Sequence, residues 1–439
     1  MLPSGWELTI FDKHIDLLSG FPFKSAEYSN NEKDICLLRG DNIEPNHLRW
    51  RNVKRWNCTE YDNLKKFHLR KGDFVIAMDR TWVSSGLKVA EVQQSDLPCL
   101  LVQRVSRIRS KNTLIQELLK QYFSSFKFEQ YVKSVQTETA VPHISAKQIK
   151  EFPLLLPPLP EQRKIAQILS SWDKAISATE SLIANSQQQK KFLMQQLLTG
   201  KKRFEGFKEK FSVRDGFAKK KLGFLPDDWK VDLICNYFWY QEGPGVRKHQ
   251  FVENGIKLFN GTNIQKSRVV INNTKTCISP EEAYGAYSHF MADQGDLVIA
   301  CSGISVDKFD EKIAFLDYSH LPLCMNTSTM RFKVIDENIA NINFFRYFMM
   351  SHLFKDQIRR QITGSAQLNF GPSHVGNCFI VLPSLEEQQK IASILTAADQ
   401  EIDTLQQKLT HLKQEKKALM QQLLTGNRRV KVDNETEAA

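Results

Sequence analysis

The chain contains one long segment twice. Residues 156–203, LPPLPEQRKIAQILSSWDKAISATESLIANSQQQKKFLMQQLLTGKKR, align without a gap with residues 382–429, LPSLEEQQKIASILTAADQEIDTLQQKLTHLKQEKKALMQQLLTGNRR, and 24 of 48 positions are identical. A repeat of this length marks a two-unit architecture. Its internal spacing names the element. Ile165, Leu169, Trp172, Ile176, Thr179, Ile183, Ser186, Lys190, Leu193 and Leu197 follow in steps of four and three. Ile391, Leu395, Ala398, Ile402, Leu405, Leu409, Leu412, Lys416, Leu419 and Leu423 do the same. Such steps average 3.5 residues, the period of a coiled-coil seam rather than of a globular helix stripe.

End signals agree with two long helices. Pro160 suits a first turn, and Ser384 with Glu387 has capping-box spacing. Gly200 and Gly426 terminate the pattern, followed by Lys201, Lys202, Arg203 and by Arg428, Arg429, where a helix dipole favours cations. A helix of about 39 residues is roughly 58 Å long. A seam needs a partner, and the nearest is its own copy, returned antiparallel by the segment between them. The alternative is two independent helices, each packed on its own domain. Lys190 and Lys416 interrupt the seam at equivalent places. Either the coil is looser there or accepts a partner, or both lysines snorkel to solvent, as their long stems favour.

The blocks before each helix repeat more weakly. LPSGW (Leu2–Trp6) recurs as LPDDW (Leu225–Trp229), LLRGDNI (Leu37–Ile43) as LFNGTNI (Leu258–Ile264), and GDFVIA (Gly72–Ala77) as GDLVIA (Gly295–Ala300). Short apolar runs beside Gly-Asp or Gly-x-Asn read as strands with turns. Glu117–Val132 and Asn343–Ile358 each read as one aromatic-rich helix. The expectation is an α+β chain: two similar globular domains separated by two long helices that form an antiparallel coiled coil. The boundaries are 1–153 for the first domain, 154–200 for its helix and 201–221 for a basic linker. They continue with 222–380 for the second domain, 381–426 for its helix and 427–439 for a polar tail.

Charge then narrows the partner. Lys and Arg number 60 against 49 Asp and Glu, a net +11, which points to a polyanion, nucleic acid before an anionic membrane. No run approaches 18 apolar residues, so no membrane span is expected. The N-terminus lacks the basic-then-apolar order of a signal peptide. Eight scattered cysteines without a C-x-x-C read as isolated thiols in a reducing cytoplasm, with no metal site.

Enzyme signatures are absent. There is no phosphate-cradling G-x-x-x-x-G-K-[ST], no H-E-x-x-H, no zinc-deaminase motif and no Asn-Pro-Pro-Tyr or Asp-Pro-Pro-Tyr. Pro226-Asp227-Asp228-Trp229-Lys230 imitates a nuclease grouping, but its counterpart Pro3-Ser4-Gly5-Trp6-Glu7 lacks the aspartates and the lysine. Those charges read as a solvated turn. Binding signals are stronger. His47–Trp56 carries Arg49, Arg51, Lys54 and Arg55, two tryptophans and no acid. Such cations neutralise phosphates, and Arg, Asn and Gln read base edges. Arg80, Trp82 and Lys88 lie on what reads as a mobile loop after the GDFVIA strand. The second block offers Lys266 and Arg268, Ser302, and the cluster Arg247 and Lys248. Those twelve residues are the candidate DNA contacts, and no catalytic residue is expected.

Two divergent blocks, each ending in Leu-Pro-x-Leu-x-Glu-Gln and a long helix closed by Leu-Leu-Thr-Gly, resemble the DNA-specificity subunit of type I restriction–modification systems. The resemblance covers nearly the whole chain. It implies that each block is a target-recognition domain reading half of a split double-stranded DNA target. The paired helices would fix the unread spacer and dock two modification subunits that methylate adenine at N6. It implies no cofactor on this chain: S-adenosylmethionine, ATP and Mg belong to the modification and to the restriction and motor subunits. The alternative is a stand-alone bipartite DNA-binding regulator or architectural protein.

Overall fold

The structure, a computed structural model, describes residues 3–137, 140–207, 211–212, 225–272, 274–361 and 367–432, with backbone alone at 211–212, 306–307 and 367–368. Most of the basic linker 201–221 and the end of the polar tail lie outside them. The chain divides into two units, Met1–Ser181 with Gln406–Ala439, and Leu182–Leu405. Each unit therefore joins one head to one half of each long helix.

The first head is built on a four-stranded antiparallel sheet in the order Val89–Glu91, Phe74–Ala77, Val105–Ser110, Ile15–Ser19. The strand of the GDFVIA motif is buried along its whole length, as expected of a strand covered on both faces. A second sheet orders Cys99–Leu101, Ile35–Leu38 and Lys54–Trp56, with its first pair parallel. The second head repeats the plan. Phe238–Glu242, Thr329–Val334, Leu297–Ala300 and Ile313–Phe315 form its four-stranded sheet, and Ile256–Phe259 pairs parallel with Leu323–Met325. The Gly-x-Asn turns are built alike. Asn42 Oδ1 accepts from Arg39 N and its Nδ2 donates to Arg49 O; Asn263 does the same with Asn260 N and Val270 O.

Each expected aromatic helix is instead two. Gln116–Phe123 and Phe126–Val135 meet at Ser124–Ser125, and Ile342–Met350 and His352–Gln361 meet at Ser351. Serine hydroxyls make the break. Ser125 Oγ donates to Tyr122 O at 2.6 Å and Ser351 Oγ to Phe348 O at 2.6 Å, offering the backbone an alternative to the helical ladder.

The long helices are Leu159–Leu197 and Leu385–Leu424. In the first unit Asp173 pairs with Lys416 and Glu180 with Lys413; in the second Ser186 bonds Glu401 and Lys190 pairs with Asp399. Numbers rise on one helix as they fall on the other, so the helices run antiparallel. No seam position is exposed. Ile165, Leu169 and Leu423 are fully covered in the first unit's core, and Leu197, Ile391 and Leu395 in the second's. The lysines do not snorkel. Their side chains are 17% and 11% exposed because each finds an aspartate on the facing helix, which water would otherwise have to replace.

The repeated motifs meet in one knot per unit. Trp229 Nε1 donates to Glu387 Oε2 at 3.0 Å, and the Arg203 guanidinium grips the same carboxylate at 2.9 and 2.7 Å. Trp6, Glu161 and Arg429 form the matching knot. Glu387 thus spends its carboxylate on the knot; Ser384 still caps Glu387 N at 3.3 Å, so half of the expected capping box is present. Asp228, expected on a solvated turn, holds Arg203 at 2.7 and 2.8 Å. Gly200 and Gly426 take φ +70 and +72, and a Cβ there would stand 2.3 Å from Pro226 Cγ and 2.4 Å from Pro3 Cγ. Helix end and head entry touch too closely for any side chain.

Candidate nucleic-acid interface

The twelve candidate residues fall into distinct settings. In the first head Arg51 and Lys54 are exposed and make no ion pair among the described residues. Arg55, on the strand beside Cys36, donates to Asp34 O at 2.8 Å. Arg49 donates to Asp41 O at 3.3 Å and lies 3.6 Å from Glu44. Arg80 is exposed with φ +48, its N–H bonded to Pro142 O at 2.7 Å. The expected mobile loop is a short hairpin, Trp82–Val83 against Gly86–Leu87, and Lys133 Nζ sits 3.7 Å over the Trp82 ring. Lys88 Nζ donates to Gly40 O. Burial, with Arg49 and Arg80 nearby, holds Lys88 below the ordinary lysine value despite Asp41 and Glu44. That mutual influence groups Arg49, Arg80 and Lys88, while Arg51, Lys54 and Arg55 belong to a neighbouring strand and its approach.

In the second head Arg247, Lys248 and Lys266 are exposed without an ion pair among the described residues. Lys266 and Ser267 take φ +50 and +59, and Ser267 N bonds Glu311 O at 2.9 Å. Arg268 is turned toward the second long helix, 2.8 Å from Asp403. Ser302 is exposed and donates to Asn369 Oδ1 at 3.0 Å. Lys312 Nζ, bonded to Gly261 O at 3.1 Å and Ile264 O at 2.6 Å, occupies the role of Lys88.

One polar group escaped the sequence reading. Asp79 accepts from Arg104 at 2.6 Å and from His143 at 2.6 Å. Burial alone would raise the Asp79 carboxyl; the two hydrogen bonds outweigh it and hold the group below the usual carboxylate range. Its members are far apart in the chain and share no motif, so no linear signal could have assembled them. Among the described residues no group of three His, Cys, Asp or Glu is arranged to hold a metal ion, and no helix is long and apolar enough to cross a membrane. All eight cysteines are free thiols.

The family model described as type I restriction modification DNA specificity domain matches residues 17–210 and again 226–414. The type I restriction enzyme MjaVIII specificity subunit of Methanocaldococcus jannaschii is 29% identical over 332 residues, covering 76% of this chain and 75% of the relative. The EcoBI specificity subunit of Escherichia coli is 21% identical over 403 residues, 88% of this chain and 77% of that one. A crystal structure of a type I restriction–modification S subunit from M. genitalium shares the fold, with a TM-score of 0.56 at 15% identity over 95% of this chain and 96% of that one. The doubled match takes in well over half of the sequence and falls once on each head with its helix. The chain belongs to the type I restriction modification DNA specificity family and is a specificity subunit, not an enzyme.

Proposed function

We propose that this chain is the DNA-reading component of a modification and restriction assembly. Each head reads one half of a split duplex target, and the long helices set the spacer between the halves. Adenine N6 methylation, ATP-driven movement and cleavage belong to partner subunits, which bring S-adenosylmethionine, ATP and Mg. The observation that carries this is one head plan built twice, with the same junction knots and different polar groups at equivalent surface places. Shared frames with divergent surfaces suit two unlike half-sites. Exposed cations without an ion pair among the described residues, present in each head, suit phosphate contact, whose strength comes from released counterions.

Single-molecule methylation sequencing of cells with and without this gene tests the proposal. The expected result is a split, asymmetric methylated motif that vanishes on deletion. An unchanged methylome, with the purified chain still binding DNA but bringing down no methyltransferase subunits, would leave a stand-alone bipartite regulator instead.

A further inference from the structure

The two heads put different chemistry at one shared place. Where Phe74–Ala77 ends, Ile144 N donates to Met78 O and Met78 N to Arg104 O, both at 2.9 Å. The other head repeats this with Phe370 N to Cys301 O and Cys301 N to Ser328 O, also at 2.9 Å. The backbone therefore equates Asp79 with Ser302, Arg104 with Ser328 and His143 with Asn369. Gly20 N and Gly243 N donate to Val105 O at 3.0 Å and Thr329 O at 3.1 Å, so Ser19 corresponds to Glu242.

In the first head the carboxylate of this group is already taken. Asp79 is held by Arg104 and His143, and Ser19 Oγ is 3.3 Å from Ser106 Oγ. The Arg104 side chain is 68% exposed and spends one nitrogen on Asp79. Among the described residues its remaining N–H groups make no other side-chain hydrogen bond, and Asp79 steadies the guanidinium. The first head offers donors.

In the second head a carboxylate stands where the first has a serine. Glu242 is half-buried, and its Oε2 lies 3.5 Å from where a Cβ on Gly371 would stand. Its only polar contact among the described residues is the Cys301 thiol, 4.0 Å from Oε1. No cation pairs with it there, and burial pushes its carboxyl up. Next to Phe370, Asn369 Oδ1 accepts from Gly303 N at 2.7 Å and from Ser302 Oγ at 3.0 Å. A backbone N–H can only donate, so the oxygen faces that loop and the amide NH2 points elsewhere. An unpaired, partly desolvated carboxylate is destabilising, and folds keep such groups where they serve function.

We propose that this sheet end is a base-reading point of each head, and that the two heads read opposite hydrogen-bonding chemistry there. Arg104 donates to an acceptor pair on a base edge, such as guanine O6 and N7, whereas Glu242 accepts from the exocyclic amino group of cytosine or adenine. The inference rests on the split-target reading above.

The test uses the full chain with its methyltransferase subunits, selecting from a randomised duplex DNA library that is then sequenced. Glu242→Gln should lose discrimination on the order of tenfold or more at one position of one half-site, leaving the other half unchanged. Arg104→Ala should do the same at one position of the opposite half-site; its exposure protects the fold. The position relaxed by Glu242→Gln should be a cytosine or adenine, and that relaxed by Arg104→Ala a guanine. An unchanged selected motif, or equal weakening on every sequence, overturns the assignment while the split motif survives. A wild-type selection with no split motif overturns the split-target reading itself, and this inference with it.

Discussion

Lys416 reaches across the coil to place its Nζ 2.6 Å from Asp173 Oδ1, and Lys190 reaches Asp399 in the same way. Both lysines and both aspartates are equivalent positions of the repeat, so one contact is made twice with the roles of the helices exchanged. Each aspartate also ties the coil to a head: Gln121 Nε2 donates to Asp173 Oδ2 and Tyr347 Oη to Asp399 Oδ2, both at 2.8 Å. Asp173 lies twelve residues, roughly 18 Å, beyond Glu161 along its helix. Knot and ion pair therefore fix each head to its coil at two separated points.

Removing one partner of the ion pair strands the other. Lys416→Ala should cost about 2–3 kcal/mol, less than the ~3–5 kcal/mol of a fully buried pair because Asp173 keeps some solvent. Exchanging the charges, Lys416→Asp with Asp173→Lys, should recover most of it. Gln121 Oε1 has no hydrogen-bond partner among the described residues, so that amide can turn over to accept from the new lysine. Urea denaturation of the three proteins measures this, and an exchange no better than the single variant would refute it.

The two knots should differ in strength. Arg203 and Glu387 side chains are 2% and 1% exposed, whereas Arg429 is 44% exposed. Glu387→Ala should cost about 2–4 kcal/mol, because the buried Arg203 guanidinium loses one of its two carboxylates while keeping Asp228, and the Trp229 indole loses its acceptor. Glu161→Ala should cost only about 1–2 kcal/mol. Equal losses on unfolding would show that burial of the arginine is not what matters.

Glu242 gives a pH dependence with a definite sign. Its folded pKa is raised by burial, so the ionised form is disfavoured in the native state. That cost is fully present above the folded pKa and disappears as pH falls below the unfolded one. Glu242→Gln should therefore be more stable than the parent at neutral pH, the gap closing through the carboxylate range. A parent more stable at neutral pH would point to a cationic partner for Glu242 beyond those among the described residues.

Among the described residues Arg51 has no ion pair to lose. Arg51→Ala should leave stability within about 0.5 kcal/mol and weaken DNA binding. A phosphate contact would lower all sequences alike and reduce the salt slope by about 0.9. A base contact would instead relax one position by about 1–3 kcal/mol. Titration at several salt concentrations separates them, and unchanged binding removes Arg51 from the interface.

Deleting one heptad from each long helix removes about 10 Å of coil, roughly 3 base pairs of duplex. The methylated motif should keep both half-sites and change its spacer, or be lost. Altered half-sites would sink the spacing role.

The repeat was legible because its period is local. A 3.5-residue seam, a Gly after it and a Pro before it are read within one segment, and they name a coiled coil without coordinates. The serine breaks at Ser125 and Ser351 were not legible: aromatic periodicity runs through them, and the break depends on hydroxyl geometry. The inward turn of Lys190 and Lys416 was equally hidden. A lysine in a seam reads as misplaced until the aspartate 209 or 243 residues away is brought opposite.

What the sequence determined by itself is the doubled plan, the two long helices and the family, since each is written as residue order and spacing. Only the tertiary structure decided which residues do one job together. Trp229, Glu387 and Arg203 are scattered along the chain and become a single buried knot. Asp79, Arg104 and His143 become one outward-facing group. Hydrogen bonds and ion pairs act over about 3 Å, a distance that chain folding sets and sequence separation does not.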